Sequence, residues 1–206
     1  MRYYMKTFDY SSEERQLAYP LHYWLRQQGS EYVERIYDSI KNEIDNKHEF
    51  FNREDEHGFT PMHVFSGFNA HNPKNIVNGE YLYKQGADLN AQDKEGNTPL
   101  HTWAYNYDKA TRGSEDVPIK IVAEIKWSAV KSSMPFLGWM IVNGADINIH
   151  NHDNTTALEL IMQVIPKDIK IDEKTMKEAY NNWKETGKVK ELQYKNTNEK
   201  GCCIMM

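Results

Sequence analysis

Three stretches of the chain decide its fold because they repeat one pattern: Phe51–His63 reads FNREDEHGFTPMH, Leu89–His101 reads LNAQDKEGNTPLH and Ile147–Glu159 reads INIHNHDNTTALE. The three align without gaps. Gly-Ala-Asp precedes the second and the third, at residues 86–88 and 144–146. A pattern that recurs in this way is the signature of a repeat architecture, in which each unit buries its apolar face only against a neighbour.

Each residue type in the pattern has a conformational reason. Gly58 and Gly96 can supply the positive φ of a tight turn, and Asn154, the next most tolerant residue, takes that place in the third stretch. Thr-Pro at residues 60–61 and 98–99 fits a helix N-cap followed by the first helical position. The glycine of each Gly-Ala-Asp fits the end of a preceding helix. The pattern therefore predicts a turn followed by a pair of helices in each repeat.

The combined pattern resembles the ankyrin repeat, whose signature includes Thr-Pro-Leu-His and a Gly-Ala-Asp-x-Asn turn. The resemblance covers about residues 31–187. It implies an all-α fold, an ankyrin-repeat solenoid of helix-turn-helix repeats with an N-terminal helical cap and a flexible C-terminal tail. It also implies that His63 and His101 form hydrogen bonds within the stack, so we expect both to be structural rather than catalytic or metal-binding.

The spacing of the repeats departs from the consensus. Asp55 and Asp93 are 38 residues apart, and Asp93 and Asn151 are 58 apart, against a consensus of about 33. We therefore predict an insertion at about 106–133, either a long loop or an extended helix pair. The predicted division of the chain is an N-terminal helical segment at 1–30, a half-repeat at 31–54, repeats at 55–92, 93–150 and 151–187, and a polar tail at 188–206.

Composition narrows the classes of function. Lys and Arg total 25 against 30 Asp and Glu, a net charge of -5, so nucleic acid is not an expected partner. The longest mostly apolar stretch, Met134–Val142, is too short to span a bilayer, and the first residues have no secretory signal pattern. No phosphate-binding loop, Gly-x-Ser-x-Gly or His-Glu-x-x-His motif occurs. We therefore expect no enzyme activity, no metal and no cofactor.

The two cysteines, Cys202 and Cys203, lie side by side near the end of the sequence. Adjacent cysteines exclude a disulfide framework and favour an intracellular setting. The last four residues, Cys-Ile-Met-Met, match the C-a-a-X signal for farnesylation of Cys203. Cys202 is then a candidate for palmitoylation, because stable anchoring usually takes two signals. In a eukaryotic cytosol we expect a prenyltransferase as partner and a location on the cytosolic face of a membrane.

These features favour a membrane-anchored protein–protein interaction module. The divergent repeats, the Lys- and Asn-rich composition and the lipidation motif together resemble secreted effectors of intracellular bacteria, which borrow host prenylation enzymes. The contact positions of ankyrin repeats, carried onto this sequence, predict a concave protein-binding face at Glu56, His57, Phe59, Phe68, Lys94, Glu95, Asn97, Tyr105, His152, Asp153 and Thr155.

Two alternatives remain open from the sequence. The first is an F-box-like ubiquitin-ligase adaptor, which would recruit its ligase through residues 1–45. The only residues that resemble this module are Pro20-Leu21 followed by Trp24 and Leu25, and a packed N-terminal cap is the favoured interpretation of them. The second alternative is an enzyme with its site in the insertion, where the titratable side chains include Glu115, Asp116 and Glu124.

Overall fold

The computed structural model describes residues 10, 12–27, 33–68, 72–111, 119–167 and 171–188. Within these ranges the chain is helical and has no strand beyond one isolated bridge between His150 and Thr156. The α-helices are α1 (Glu13–Ala18), α2 (Pro20–Gln27), α3 (Val33–Ile40), α4 (Lys47–Asn52), α5 (Pro61–Phe68), α6 (Ile76–Lys84), α7 (Pro99–Thr111), α8 (Ile119–Val142), α9 (Ala157–Val164) and α10 (Glu173–Thr186), with 3₁₀ turns at Lys41–Glu43 and Pro73–Asn75.

The helices lie in two rows. An inner row consists of α2, α5, α7 and α9, each packed against the next. In the outer row α3 packs against α6 and α8 packs against α10, and the ring of Tyr83 on α6 meets the edge of Trp139 on α8. The largest side chains of the core are fully buried: Trp103, Trp139, Tyr107, Phe51, Phe65 and Phe136. Burial of these aromatic rings is the main apolar contribution that joins neighbouring repeats.

The conformations predicted for the turns are confirmed. Gly58 and Gly96 have φ values of 83° and 77°, and Asn154, at 55°, takes the same place in the third repeat. The last outer helix, α10, begins at Asp172, whose side chain accepts a hydrogen bond from the backbone N–H of Thr175. It ends at Gly187, which has φ 67°. Residues that tolerate positive φ therefore stand at the places where the chain needs them.

Over its described part the predicted insertion is an extended helix pair, one of the two forms expected, because it consists of the end of α7 and the first half of α8. Helix α8 runs for 24 residues and combines the end of the insertion with the outer helix of the second repeat. It continues through Pro135, which costs one intrahelical hydrogen bond but does not end the helix. The Tyr107 hydroxyl donates to the carbonyl of Lys126 at 2.7 Å, which ties the first half of α8 to α7. Residues 112–118 lie outside the described residues, as do Glu115 and Asp116 of the proposed enzyme site.

The N-terminal part is arranged differently from the predicted division. Helix α2 stands in the inner row against α5, and α3 stands in the outer row against α6. The predicted boundary at residue 30 therefore falls between two helices that occupy the positions of one further repeat. Leu21, Leu25 and Val33 join them to the main core. None of the helices in the described part of the chain has the length and hydropathy that a membrane span needs.

Candidate functional site

Three turns, at 55–60, 93–98 and 151–156, form one edge of the stack. Each begins with an Asp or Asn whose Oδ1 accepts two backbone N–H groups from the same turn. For Asp55 these donors are His57 at 2.8 Å and Phe59 at 3.0 Å. Asp93 and Asn151 repeat this arrangement with the residues two and four positions later. The side-chain hydrogen bonds hold the turns in one conformation, which is the ordinary use of Asx side chains.

The turns are also joined to one another through the backbone. The N–H of Lys94 donates to the carbonyl of His57 at 3.0 Å, and the N–H of His152 donates to the carbonyl of Glu95 at 2.9 Å. The approach is so close that a Cβ on Gly58 would lie 2.8 Å from the Lys94 nitrogen. Glycine is thus required there by both its φ and its size. Side chains at the turn tips are therefore held in a fixed row.

Buried histidines form a second set of links between repeats. The Thr60 backbone N–H donates to Nδ1 of His63, which leaves the proton on Nε2 to donate to the Asn97 carbonyl at 2.9 Å. His101 makes the same two bonds, with the Thr98 N–H and the Thr155 carbonyl. Burial lowers the pKa of His63 to about 4 and also lowers the pKa of His101. These contacts require a neutral imidazole ring. They also give His63 and His101 the structural role that the resemblance implies.

A third histidine of this type was missed by sequence reasoning. Nε2 of His22 lies 2.6 Å from the carbonyl of Phe59, the residue that aligns with Asn97 and Thr155. Its signal was Tyr19-Pro20-Leu21-His22, which is Thr-Pro-Leu-His with the threonine replaced. Burial lowers the pKa of His22 as well. The link pattern of the repeats therefore extends one unit further toward the N-terminus than the predicted half-repeat.

Asparagine side chains form a third set of links. Nδ2 of Asn52 donates to the Gly86 carbonyl at 2.8 Å while its Oδ1 accepts the N–H of Asp88 at 2.8 Å. Asn90 makes the same pair of bonds with the carbonyl of Gly144 and the N–H of Asp146. Each amide thus satisfies both a donor and an acceptor of the next Gly-Ala-Asp segment. The hydrophobic-Asn and Gly-Ala-Asp motifs of the sequence are two halves of one contact.

The structure places the predicted binding residues in three groups. Glu56, Phe68, Lys94, Glu95, His152 and Asp153 are exposed; His57, Tyr105 and Thr155 are half-buried; Phe59 and Asn97 are buried. The last two are corrections. Phe59 is 8% exposed and packs against Tyr10, while Asn97 is 6% exposed and accepts a hydrogen bond from Nδ2 of Asn151. Their side chains stabilise the turns and are not accessible to a partner protein.

Three of the six exposed members, Glu56, Lys94 and Phe68, have side-chain contacts that orient them. Arg15 of α1 forms an ion pair with Glu56 at 2.7 Å. The ammonium of Lys94 donates to the carbonyl of Glu56 at 2.8 Å. On the inner helices, the guanidinium of Arg26 stands over the ring of Phe68 at 5.8 Å from its centroid. The surface therefore presents an aromatic ring and mixed charges in defined positions, a composition that suits recognition of a protein.

Two of the residues that suggested an F-box-like module lie inside the stack. Leu21 and Leu25 are each 1% exposed and belong to the main core, while Trp24 is 38% exposed. The packed-cap interpretation accounts for the two leucines. Among the described residues, no group of three or more His, Cys, Asp or Glu side chains is placed to hold a metal ion. Cys202 and Cys203 lie outside the described residues.

Part of the chain matches a known family of repeats. The sequence model of the ankyrin repeat matches residues 57–94, which run from the first turn through α5 and α6 to the second turn. Comparison with curated proteins gives no significant match. The matched segment contains His63, whose acceptor, the Asn97 carbonyl, lies three residues beyond the match. The segment also contains the Gly86 carbonyl, which accepts a hydrogen bond from the Asn52 amide. An ankyrin repeat, a type of unit that usually serves protein–protein interaction without catalysis, therefore occupies residues 57–94.

Proposed function

We propose that the chain is a non-enzymatic protein-binding module in which the flanking repeats extend the ankyrin unit into one stack. The observation that carries the proposal is the row of turns, in which hydrogen bonds within and between turns hold the backbone that bears the exposed side chains. The contact face comprises Glu56, Lys94, Glu95, His152 and Asp153 at the turn tips, with His57, Thr155, Tyr105 and Phe68 beside them. A preorganised face of this kind binds with little loss of conformational entropy.

The test is to identify partners by proximity labelling and to compare three forms of the protein. The face variant combines Lys94→Glu, Glu95→Lys and Asp153→Lys, which reverses charges on exposed side chains. The control combines Lys174→Glu and Glu178→Lys, an exposed pair on α10. We expect one or more partners to be lost in the face variant and retained in the control. An unchanged set of partners in the folded face variant would contradict the proposal.

The proposal includes a lipid anchor at Cys203. Its support is the Cys-Ile-Met-Met motif, with Cys202 beside it as a site for a second acyl chain. A prenyltransferase requires that Met206 carry the free terminal carboxylate. The anchor would concentrate the binding face at a membrane, where a modest affinity for a membrane-associated partner becomes effective. Since the modifying enzymes belong to eukaryotic cytosol, this proposal describes a bacterial effector that acts inside a host cell.

The anchor is tested by expression in eukaryotic cells with an alkyne-farnesyl label. We expect the wild type to be labelled and membrane-bound, and Cys203→Ser to lose both properties. Cys202→Ser should keep the label and bind membranes less strongly. An unlabelled wild type would exclude the anchor while leaving the binding face unaffected.

A further inference from the structure

A groove lies at the N-terminal end of the stack. It runs between α1 and α2 on one side and the segment from Ile40 to Arg53 on the other, and its volume is about 660 Å³. This size lies in the range of specific binding sites, roughly 300–1,000 Å³. Its lining shares no residue with the turn-tip face.

The lining of the groove includes several large apolar side chains. Leu17 is 76% exposed and Trp24 is 38% exposed, and both line the groove together with Tyr23, Ile44 and Phe50. Terminal repeats normally present polar surfaces because no further repeat covers them. Large apolar side chains grouped at such an end mark an interaction surface.

The rim of the groove is acidic. Three carboxylates line it, from Glu13, Asp45 and Glu49, against a single guanidinium, that of Arg53. This guanidinium is engaged, since it donates to the carbonyl of Ala18 at 3.0 Å and lies 3.9 Å from Glu49. An occupant with apolar side chains and a positive charge would therefore match both the apolar part of the lining and the acidic rim.

We propose that this groove binds an amphipathic segment of a partner protein that carries large apolar side chains and Lys or Arg. The apolar side chains lie against Leu17, Trp24 and Phe50, and the basic groups face the rim carboxylates. The inference rests on the proposed function insofar as the partner is a protein. It adds a second contact surface and names its chemistry.

The experiment uses a yeast-displayed library of random 12-residue peptides, sorted with the biotinylated full chain. The groove variant combines Leu17→Ser and Trp24→Ser. The matched control combines Val77→Ser and Met162→Ser, which removes two other exposed apolar side chains. We expect enriched peptides with apolar residues and net positive charge, whose binding is at least tenfold weaker in the groove variant and unchanged in the control. Circular dichroism confirms that both variants remain folded.

A charge variant with Glu13→Gln, Asp45→Asn and Glu49→Gln tests the rim. We expect it to bind the selected peptides about tenfold more weakly at low salt, with the difference shrinking at high salt because exposed charges are screened. The proposal is overturned if no groove-dependent peptide is enriched or if the enriched peptides are acidic. It is equally overturned if sedimentation shows a dimer that the groove variant abolishes, since the occupant is then a second copy. Loss of partners in the turn-tip variant is independent of all these outcomes.

Discussion

The turn side and the outer-helix side of the same repeats are built on different rules. Along the turns, the distance from the histidine Nε2 to the carbonyl oxygen of the following turn is 2.6, 2.9 and 3.0 Å in His22, His63 and His101. The turn conformations also repeat residue by residue. Along the outer side, α6 has 9 residues, α8 has 24 and α10 has 14. Specific hydrogen bonds fix the first side, whereas the second needs only enough apolar surface to cover the inner row. Length can therefore change on the outer side without disturbing the turns.

The third repeat shows where the turn-side rule stops. Glu159 stands at the position of His63 and His101, and its carboxylate accepts the N–H of Thr156 in a capping box. A carboxylate has no proton to donate to a carbonyl further along, so it caps its own helix and makes no forward link of the histidine type. Histidine is thus the residue that joins two repeats, and glutamate suits the last one.

Removal of a histidine link is the strongest test of the turn-side rule. His63→Ala would leave the Thr60 N–H and the Asn97 carbonyl without this partner and would open a cavity in a fully buried site. We expect the free energy of unfolding to fall by about 4 kcal/mol, from the unpaired Thr60 N–H, the lost bond to the Asn97 carbonyl and the lost packing. His152→Ala, at an exposed turn tip, should change it by less than about 0.5 kcal/mol. Urea denaturation measures both, and equal losses would refute the rule.

Acid should weaken the same links. The pKa of His63 is about 4 in the folded protein against 6.5 for an unperturbed side chain. Between these pH values the unfolded chain holds a proton that the folded chain excludes, so stability falls as the pH drops from about 6.5 to 4. The contribution of His63 alone is about 3 kcal/mol, at roughly 1.4 kcal/mol per pH unit. His22 and His101 shift in the same direction.

Denaturation at pH 7 and at pH 4 checks this prediction. The loss of stability between the two should be smaller in His63→Gln than in the wild type, because glutamine does not titrate. An identical loss in both proteins would show that other groups cause the acid sensitivity.

The outer side has its own weak point where α8 meets α10. A Cβ on Gly138 would lie 2.0 Å from the backbone oxygen of Met176, a contact that only movement of a helix can relieve. Gly138→Ala should therefore destabilise the protein, although alanine is ordinarily the better helix former. Gly144, which has φ 102° and no atom near its Cβ position, is the matched control, at a cost of about 1 kcal/mol. We expect a thermal unfolding scan to show Gly138→Ala as the more damaging by about 2 kcal/mol, and the reverse order would contradict the packing.

Local motifs made the turn side predictable from the sequence. The positive φ at Gly58, Gly96 and Asn154, the structural role of His63 and His101, and the end of α10 at Gly187 all follow from short patterns with one conformational solution. The prediction that Phe59 and Asn97 contact a partner was wrong. A family contact position does not tell whether residues from another part of the chain cover the side chain, as the N-terminal tyrosines and Asn151 do here. Burial of that kind depends on neighbours far along the chain.

The N-terminal repeat and helix α8 were harder for a related reason. In Tyr19-Pro20-Leu21-His22 the replaced threonine hides a motif whose other three residues are intact, and the link from His22 spans 37 residues. The sequence left both a loop and an extended helix pair open for the insertion, because the packing of α8 against α7 and α10 depends on residues far apart in the chain. The groove at the N-terminal end gave no sequence signal, since Leu17, Ile44 and Phe50 line one groove only in the folded chain.

The asparagine links give the smallest and most selective test. Asn90 joins two repeats through the Gly144 carbonyl and the Asp146 N–H, whereas the side chain of Asn148, the equivalent residue one repeat later, bonds Asp146 of its own segment. These groups are exposed to water, which replaces part of each lost bond, so Asn90→Ala should cost about 1 kcal/mol and Asn148→Ala measurably less. Hydrogen exchange should show the Asp146 amide less protected in Asn90→Ala alone. Equal effects of the two substitutions would mean that asparagine acts here within its own turn, and that histidines and backbone contacts alone join the repeats.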